Sequence, residues 1–245
     1  MDLPTPFIVR ILIFYDVDNT IILIIKGYFN MKDSVLKNKK ITFLGDSITE
    51  SCGASKKENG FVYRIKEKTG AEIKELGIGG TRIAYKFIPS LDNLIYDKFY
   101  ETRIDEIPCD SEMIVVFGGT NDYGHGDAPL GIMGDTTIFT FYGAVYSLIK
   151  KLKYAFPNSR IVFATPIHRE FEHDRGLNLV DYVNAIKEVC ASLNVPVMDM
   201  YNLYKVNPEK EEDKIKYAPD GLHPNDLGHD LLSDCFIENL EKFFK

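Results

Sequence analysis

From Lys40 onward, short apolar runs of strand length alternate with longer segments that have the periodicity of an α-helix. The strand-length runs occupy residues 41–44, 73–76, 113–117, 161–164 and 195–198. The helical patterns occupy residues 61–68, 138–155, 177–193 and 226–243. Such alternation is typical of a parallel sheet covered by helices on both faces. We therefore predict a three-layer α/β/α sandwich with a flavodoxin-like sheet and a functional crevice at the carboxyl ends of its strands.

The first 39 residues differ from the rest, and we predict that they form an apolar extension to a single domain at residues 40–245. Two apolar runs, residues 7–15 and 21–29, flank a polar segment that contains an Asp-Asn turn signal. Charged residues interrupt this region, so no run reaches the roughly 18–20 residues that a membrane span needs. The β-branched residues favour a β-hairpin instead.

Both faces of this hairpin would be apolar, so the sequence predicts that it is covered by a packing partner. A contact between copies of the chain through this segment is one arrangement that would cover it. A start of translation at Met31, which would leave residues 1–30 as an appendage, stays open as an alternative.

The charge and cysteine content exclude several classes of protein. The 36 acidic and 29 basic residues give a net charge of −7, and no basic cluster is evident, which argues against a nucleic-acid partner. The four cysteines are scattered without a C-x-x-C pair, so they predict buried free thiols rather than a zinc or redox site.

No basic leader with a cleavage site is recognisable at the N-terminus, and we expect a cytoplasmic protein.

Polar and glycine-rich segments follow three of the predicted strands. Gly-Asp-Ser at residues 45–47 follows the first strand, Gly-Ile-Gly-Gly at 77–80 the second, and Gly-Thr-Asn-Asp at 119–122 the third. Asp220 and His223 stand three residues apart near the C-terminus. Each of these segments alone is most often a turn. Because three of them follow strands of one parallel sheet, they are expected to converge on one crevice.

A serine, a histidine with a nearby aspartate, a glycine N–H and an asparagine amide together supply what acyl transfer through a serine nucleophile requires. At this point the chain resembles the SGNH (GDSL) hydrolase superfamily, in its lysophospholipase-like and acetylesterase-like branch. The resemblance covers roughly residues 40–245 and includes all four sequence blocks of that family in order.

The resemblance implies a role for each matched residue. Ser47 would be the nucleophile, His223 the general base and then the general acid, and Asp220 the group that orients His223. The backbone N–H groups of Ser47 and Gly80 and the side-chain amide of Asn121 would form the oxyanion hole.

The glycine block at residues 77–80, the second of the four, departs from the family pattern, in which an asparagine often precedes the first glycine. Glu75 and Leu76 stand there instead, so both Gly79 and Gly80 stay open as the donor. We favour Gly80 because it precedes Thr81, as the donor glycine of the family usually precedes a small polar residue.

Other hydrolase and cofactor classes fit less well. The G-x-S-x-G elbow fails because Thr49 stands where its second glycine belongs, and the dinucleotide fingerprint fails because Arg82 replaces its last glycine. A metal hydrolase could use Asp46, Asp122 and the Asp220–His223 pair, but ligand spacing is lacking, so we expect neither metal nor cofactor. An acyltransferase that uses the same acyl-enzyme stays open.

The substrate is expected to be a small-molecule acyl ester, with a short acyl group such as acetyl on a carbohydrate favoured and lysophospholipid as the runner-up. Four residues are candidates for contacting it: Asp46, Tyr123, His125 and Arg169. His229 is expected at the surface, and residues 209–214 are expected to form a solvated loop.

Overall fold

The computed structural model describes residues 34–91, 93–125, 127–173 and 176–244, together with the backbone of two short N-terminal strands. These strands, β1 (Leu12–Tyr15) and β2 (Ile21–Ile24), pair antiparallel. Residues 1–11, 16–20 and 25–33, which include the alternative start at Met31, lie outside the described residues, and of β1 and β2 only the backbone is described. The division of the chain at residue 40 stays a prediction.

A five-stranded parallel sheet forms the middle layer, which confirms the predicted fold class. Its strands are β3 (Lys40–Gly45), β4 (Glu72–Gly77), β5 (Met113–Phe117), β6 (Arg160–Ala164) and β7 (Val197–Met198). Their order in the sheet is β4-β3-β5-β6-β7, with every neighbouring pair parallel. Strand β7 is shorter than predicted, since Pro196 has no N–H to donate to a neighbouring strand.

Seven α-helices occur among the described residues. They are α1 (Phe61–Thr69), α2 (Thr120–His125), α3 (Phe141–Ala155), α4 (Leu179–Ser192), α5 (Met200–Leu203), α6 (Glu211–Tyr217) and α7 (Asp226–Leu240). Short 3-10 turns span Lys57–Asn59, Leu94–Asp97, Tyr100–Glu106 and Glu241–Phe243. The four longer helices confirm the helical periodicities of the sequence, to within about three residues at each end.

Helix boundaries follow local capping signals. Gly70 ends α1 with a left-handed backbone angle φ of 74°, and the side chain of Asn225 caps the first turn of α7. Residues 209–214 were expected to be a solvated loop, and this expectation is wrong, because α6 begins at Glu211. Three acidic residues in its first turn and two lysines in its last turn complement the helix dipole.

Alternate side chains of the sheet pack into two apolar layers. On one face, Val115 and Phe117 of β5 belong to a core that includes Phe61 of α1 and Phe236 of α7, whose rings stack 4.8 Å apart. On the other face, Val116 and its neighbours pack among the apolar side chains of α3 and α4. Burial on both faces holds the strands rigidly, so the loops at their carboxyl ends have fixed starting points.

Candidate active site

Three loops of the candidate site begin where three adjacent strands end. Gly45 at the end of β3 is in register with Gly77 of β4 and with Phe117 of β5. A Cβ atom built on Gly79 would lie 3.7 Å from Cβ of Ser47, which shows how closely the first two loops approach each other. The predicted convergence of the polar segments on one crevice is therefore present.

A continuous hydrogen-bond chain links Ser47, His223 and Asp220. Ser47 Oγ lies 2.9 Å from Nε2 of His223, and Nδ1 of the same ring lies 2.6 Å from Oδ2 of Asp220. Partial burial opposes ionisation of Asp220, but the hydrogen bonds from His223 outweigh it and hold its pKa below the ordinary value. An ionised Asp220 fixes the tautomer in which His223 carries its proton on Nδ1, leaving Nε2 free to accept a proton from Ser47.

The loop before α7 holds the aspartate and the histidine in this arrangement. Oδ1 of Asp220 accepts the backbone N–H groups of Leu222 and His223 at 2.9 and 2.7 Å. Gly221 between them has a φ of 78°, a conformation that favours glycine. Because Asp220 is locked to the backbone of the histidine that it orients, its position and that of His223 are set together.

The two glycines after β4 differ in what their N–H groups do. The N–H of Gly79 donates to Oε2 of Glu50 at 2.7 Å. Within the part of the chain that the structure describes, no partner accepts the N–H of Gly80 or that of Ser47. Of the two glycines left open by the sequence, Gly80 is the one with an N–H free for a ligand.

The side-chain amide of Asn121 is fixed by one hydrogen bond. Its Nδ2 donates to the backbone oxygen of Thr81 at 3.0 Å, and the residue is buried near the start of α2. The second N–H of this amide has no acceptor among the described residues. This hydrogen bond to Thr81 connects α2 with the glycine loop after β4. The loop also carries the N–H of Gly80, so one contact links the segments that hold the two donors.

Asp46, a candidate substrate contact, lies beneath the site rather than at its surface. Its side chain is almost fully buried, and Oδ1 accepts the N–H of Ile48 at 3.0 Å. Burial raises the pKa of Asp46 to about 6, against the opposing effects of the Ile48 N–H and the charges of His223 and Arg103. The carboxylate is therefore an internal part of the nucleophile loop.

Arg103 is a fully buried arginine that sequence reasoning missed. Its guanidinium donates to the backbone oxygens of Leu76 and Gly45 at 2.8 and 3.0 Å and to Oγ1 of Thr81 at 3.2 Å. It thus joins the ends of β3 and β4 to the glycine loop. Arginine is rarely buried, and no local pattern in its 3-10 turn marks it out, so the sequence carries no signal for this role.

The other candidate substrate contacts lie on one side of the site. Tyr123 is buried, and its hydroxyl donates to the backbone oxygen of Phe171. His125 is exposed at the end of α2. Arg169 is partly buried, with Nη1 donating to the backbone oxygen of Thr120 at 3.2 Å and the guanidinium 5.7 Å from the centre of the Tyr123 ring. Arg169 thus packs against α2, close to Asn121.

His229 was expected at the surface, and this expectation is wrong. The residue is fully buried, its Nδ1 accepts the N–H of Phe61 at 3.2 Å, and its Nε2 donates to the backbone oxygen of Cys52 at 3.0 Å. His229 thereby joins α7 and the first turn of α1 to the loop that follows Ser47.

The expected burial of the cysteines is correct only in part: Cys190 is buried, Cys52 and Cys235 are partly buried and Cys109 is exposed.

Burial lowers the pKa of His229 from its ordinary 6.5 to about 4. Between these two values the unfolded chain binds a proton that the folded chain does not, so acidification favours unfolding. When the pH falls from 7.5 to 4.5, the free energy of unfolding of the unmodified protein should decrease. In His229→Gln, which retains a donor for Cys52, we expect this decrease to be smaller by about 2–3 kcal/mol. Urea unfolding at both pH values measures this, and equal losses would contradict the assignment.

Comparison with known proteins assigns the chain to a family. Residues 43–231 match the family model described as GDSL-like Lipase/Acylhydrolase, and the chain belongs to this family. This match confirms the resemblance seen in the sequence. No curated protein matches the chain.

Solved structures show the same fold. One is 32% identical in sequence with a TM-score of 0.75, and the match covers 86% of this chain and 99% of that one. A protein from Lactobacillus plantarum is 29% identical with a TM-score of 0.74, over 85% of this chain and 99% of its own. A lipase/acylhydrolase from Enterococcus faecalis is 20% identical with a TM-score of 0.58, over 84% and 97% respectively.

The described residues contain no group of three or more histidine, cysteine, aspartate or glutamate side chains placed to hold a metal ion. They also contain no helix with the length and apolar character to cross a membrane.

Proposed function

We propose that this protein is a serine esterase that hydrolyses short-chain acyl esters, above all acetyl esters, through an acyl-enzyme on Ser47. The observation that carries the proposal is the hydrogen-bond chain from Ser47 Oγ to His223 at 2.9 Å and from His223 to Asp220 at 2.6 Å. A serine hydroxyl is a weak nucleophile until a hydrogen-bonded imidazole, itself oriented by a carboxylate, accepts its proton.

The proposed reaction has two halves. In the first, Ser47 Oγ attacks the ester carbonyl carbon while its proton passes to Nε2 of His223, and Asp220 stabilises the resulting imidazolium. His223 then gives this proton to the leaving alcohol oxygen as the ester bond breaks. In the second half, water attacks the acyl-enzyme and gives a proton to His223, which returns it to Ser47 as the carboxylic acid departs.

The negative charge that develops on the carbonyl oxygen needs donors already aimed at it. We assign this role to the N–H groups of Ser47 and Gly80 and to the side-chain amide of Asn121. The free N–H of Gly80 and the engaged N–H of Gly79 support this choice. One such donor contributes about 3 kcal/mol to the stability of a transition state, because it is oriented before the charge appears.

We expect Asn121→Ala to lower kcat by about 10²–10³-fold, since one charge-stabilising donor is lost. Steady-state hydrolysis of p-nitrophenyl acetate measures the change. Asn202→Ala is a matched control, because Asn202 is exposed and its amide has the nearby Asp199 as its one partner in the described part of the chain. An unchanged kcat in Asn121→Ala would reject the assigned role of the amide.

The burial of the nucleophile is consistent with a short acyl group. Ser47 is 6% exposed, whereas the side chains of His223 and Asp220 are 23% and 55% exposed and lie at the rim of the site. An esterase active on acetylated mannans, 18% identical with a TM-score of 0.53, shares this fold. A salicylyl acyltransferase of a tetracycline pathway, 17% identical with a TM-score of 0.58, also shares it. Lysophospholipid hydrolysis and acyl transfer are the alternative functions.

A panel of esters tests the proposed function. It contains p-nitrophenyl esters of increasing acyl length, acetylated sugars and a lysophospholipid, with the released acid measured directly and Ser47→Ala as the blank. We expect the acetyl esters to be hydrolysed fastest. Faster release from long acyl esters or from lysophospholipid would favour the lipase-type alternative. No release from any ester, but transfer of the acyl group to an added alcohol, would favour the acyltransferase.

A further inference from the structure

The ring of Tyr96 lies against the glycine that we assign to the oxyanion hole. A Cβ atom built on Gly80 would be 3.8 Å from Cδ1 of Tyr96 and 3.9 Å from its Cγ. A Cβ atom built in the same way on Gly79, the preceding residue, would lie 3.7 Å from Cβ of Ser47. The two glycines therefore connect Ser47, which is 6% exposed, with the exposed ring of Tyr96.

Tyr96 belongs to a short turn whose side chains are apolar and exposed. The turn Leu94–Asp97 contains Leu94, Ile95 and Tyr96, of which 73%, 40% and 43% respectively remain exposed. Leu91 and Ile88, just before it, are also exposed. Consecutive large apolar side chains that the fold leaves in water beside a reaction site are typical of a surface that binds a ligand.

The turn is fixed in place by polar contacts that do not involve the exposed side chains. The side chain of Asn93 accepts the N–H of Ile95 at 3.0 Å. Lys86 pairs with Asp97 at 3.1 Å, and Asp97 also accepts the N–H of Ser90 at 3.0 Å. Because the backbone on both sides of Tyr96 is anchored, its ring presents a preformed surface that a substrate need not order on binding.

We propose that Tyr96 and its exposed neighbours Leu94 and Ile95 form a subsite for an apolar alkyl or aryl group on the alcohol side of the ester. The inference rests on the proposed function and narrows its substrate class. An acetyl group is too small to reach from Ser47 past Gly80 to the turn, so the larger alcohol part is the portion that would cover it. The aliphatic neighbours of Tyr96 favour an apolar group over the carbohydrate that the sequence favoured, because the hydroxyl groups of a sugar would need polar partners there.

The test uses acetate esters that differ only in the alcohol: ethyl, butyl, hexyl and benzyl acetate, with an acetylated monosaccharide beside them. Acetate release gives kcat/KM for each ester. In the unmodified protein we expect kcat/KM to rise along the alkyl series by up to about fourfold for each added methylene group. A factor of about four is the gain expected when a methylene group is removed completely from water. In Tyr96→Ala we expect the ratio of hexyl to ethyl acetate to fall at least several-fold, mainly through KM.

Two further variants make the result specific. Tyr96→Phe keeps the ring and should retain the preference for hexyl acetate. Tyr154→Ala removes an equally large ring that is 91% exposed on α3, and it should leave the ratio unchanged. Because a ratio measured on one preparation does not depend on the fraction of folded protein, partial misfolding of Tyr96→Ala cannot imitate the expected result.

Each other outcome has a definite meaning. If no acetate is released from any ester, the proposed function fails and the subsite with it. If acetates are hydrolysed but Tyr96→Ala changes every ester by the same factor, the subsite alone is rejected. A Tyr96-dependent preference for the acetylated sugar would overturn the apolar class. Activation by phosphatidylcholine vesicles without any preference among dissolved esters would instead assign the exposed turn to a lipid surface.

Discussion

Ser47→Ala is expected to lower kcat for p-nitrophenyl acetate by about 10⁴–10⁶-fold. Without the hydroxyl, no acyl-enzyme forms, and residual catalysis comes only from binding and from the oxyanion donors. Among the described residues the hydroxyl of Ser47 hydrogen-bonds to His223 alone, so the fold should survive the substitution. Stopped or initial-rate assays measure the activity, and thermal unfolding measures the fold.

Ser192→Ala is a suitable control for this substitution. Ser192 is exposed at the end of α4, and within the described ranges its hydroxyl donates only to the nearby backbone oxygen of Val189. Its kcat should equal that of the unmodified protein. If Ser47→Ala retained most of the activity, the nucleophile would have to be another residue.

Arg103→Met is expected to lower the free energy of unfolding by about 3–5 kcal/mol. The substitution removes a fully buried guanidinium from three acceptors. The backbone oxygen of Gly45 keeps the N–H of Ile78 at 3.2 Å, but the oxygen of Leu76 loses the guanidinium donor and does not regain the water contacts that it had in the unfolded chain. It also removes a positive charge that favours ionisation of the buried Asp46. Urea unfolding at pH 7 measures the loss.

Arg103→Lys separates charge from geometry. A lysine keeps the positive charge but has no planar fork to reach the oxygens of Leu76 and Gly45 together. We expect it to recover only part of the lost unfolding free energy. In Arg103→Met we also expect kcat to fall, because Thr81, next to Gly80, loses its hydrogen bond from the guanidinium. Full stability of Arg103→Met would contradict the structural role of this arginine.

The sheet could be predicted from the sequence because its strands are short apolar runs bounded by glycine and polar residues. Residues 113–117 are buried on both faces, and such a run has few alternatives to a central strand in this setting. The site could be predicted because parallel strands bring their carboxyl ends to one edge. Ser47 and Asn121 follow adjacent strands in the sheet, although 74 residues separate them in the chain.

The residues that were missed act through contacts distant in sequence. Arg103 and His229 have side chains that are usually polar and exposed, and only the packed structure shows that each is buried with its own partners. The N–H of Gly79 is taken by Glu50, 29 residues earlier, which no local pattern reveals. Helix α6 was missed because a charged segment without an apolar stripe gives no amphipathic signal.

Covalent trapping tests the central claim most directly. A fluorophosphonate reagent should form a single adduct on the hydroxyl of an activated serine, and mass spectrometry of the digested protein locates it. We predict one adduct, on Ser47, that forms in step with the loss of esterase activity and is absent from Ser47→Ala. An adduct on another residue that accompanies the loss of activity, or full activity in protein labelled completely at Ser47, would contradict the account.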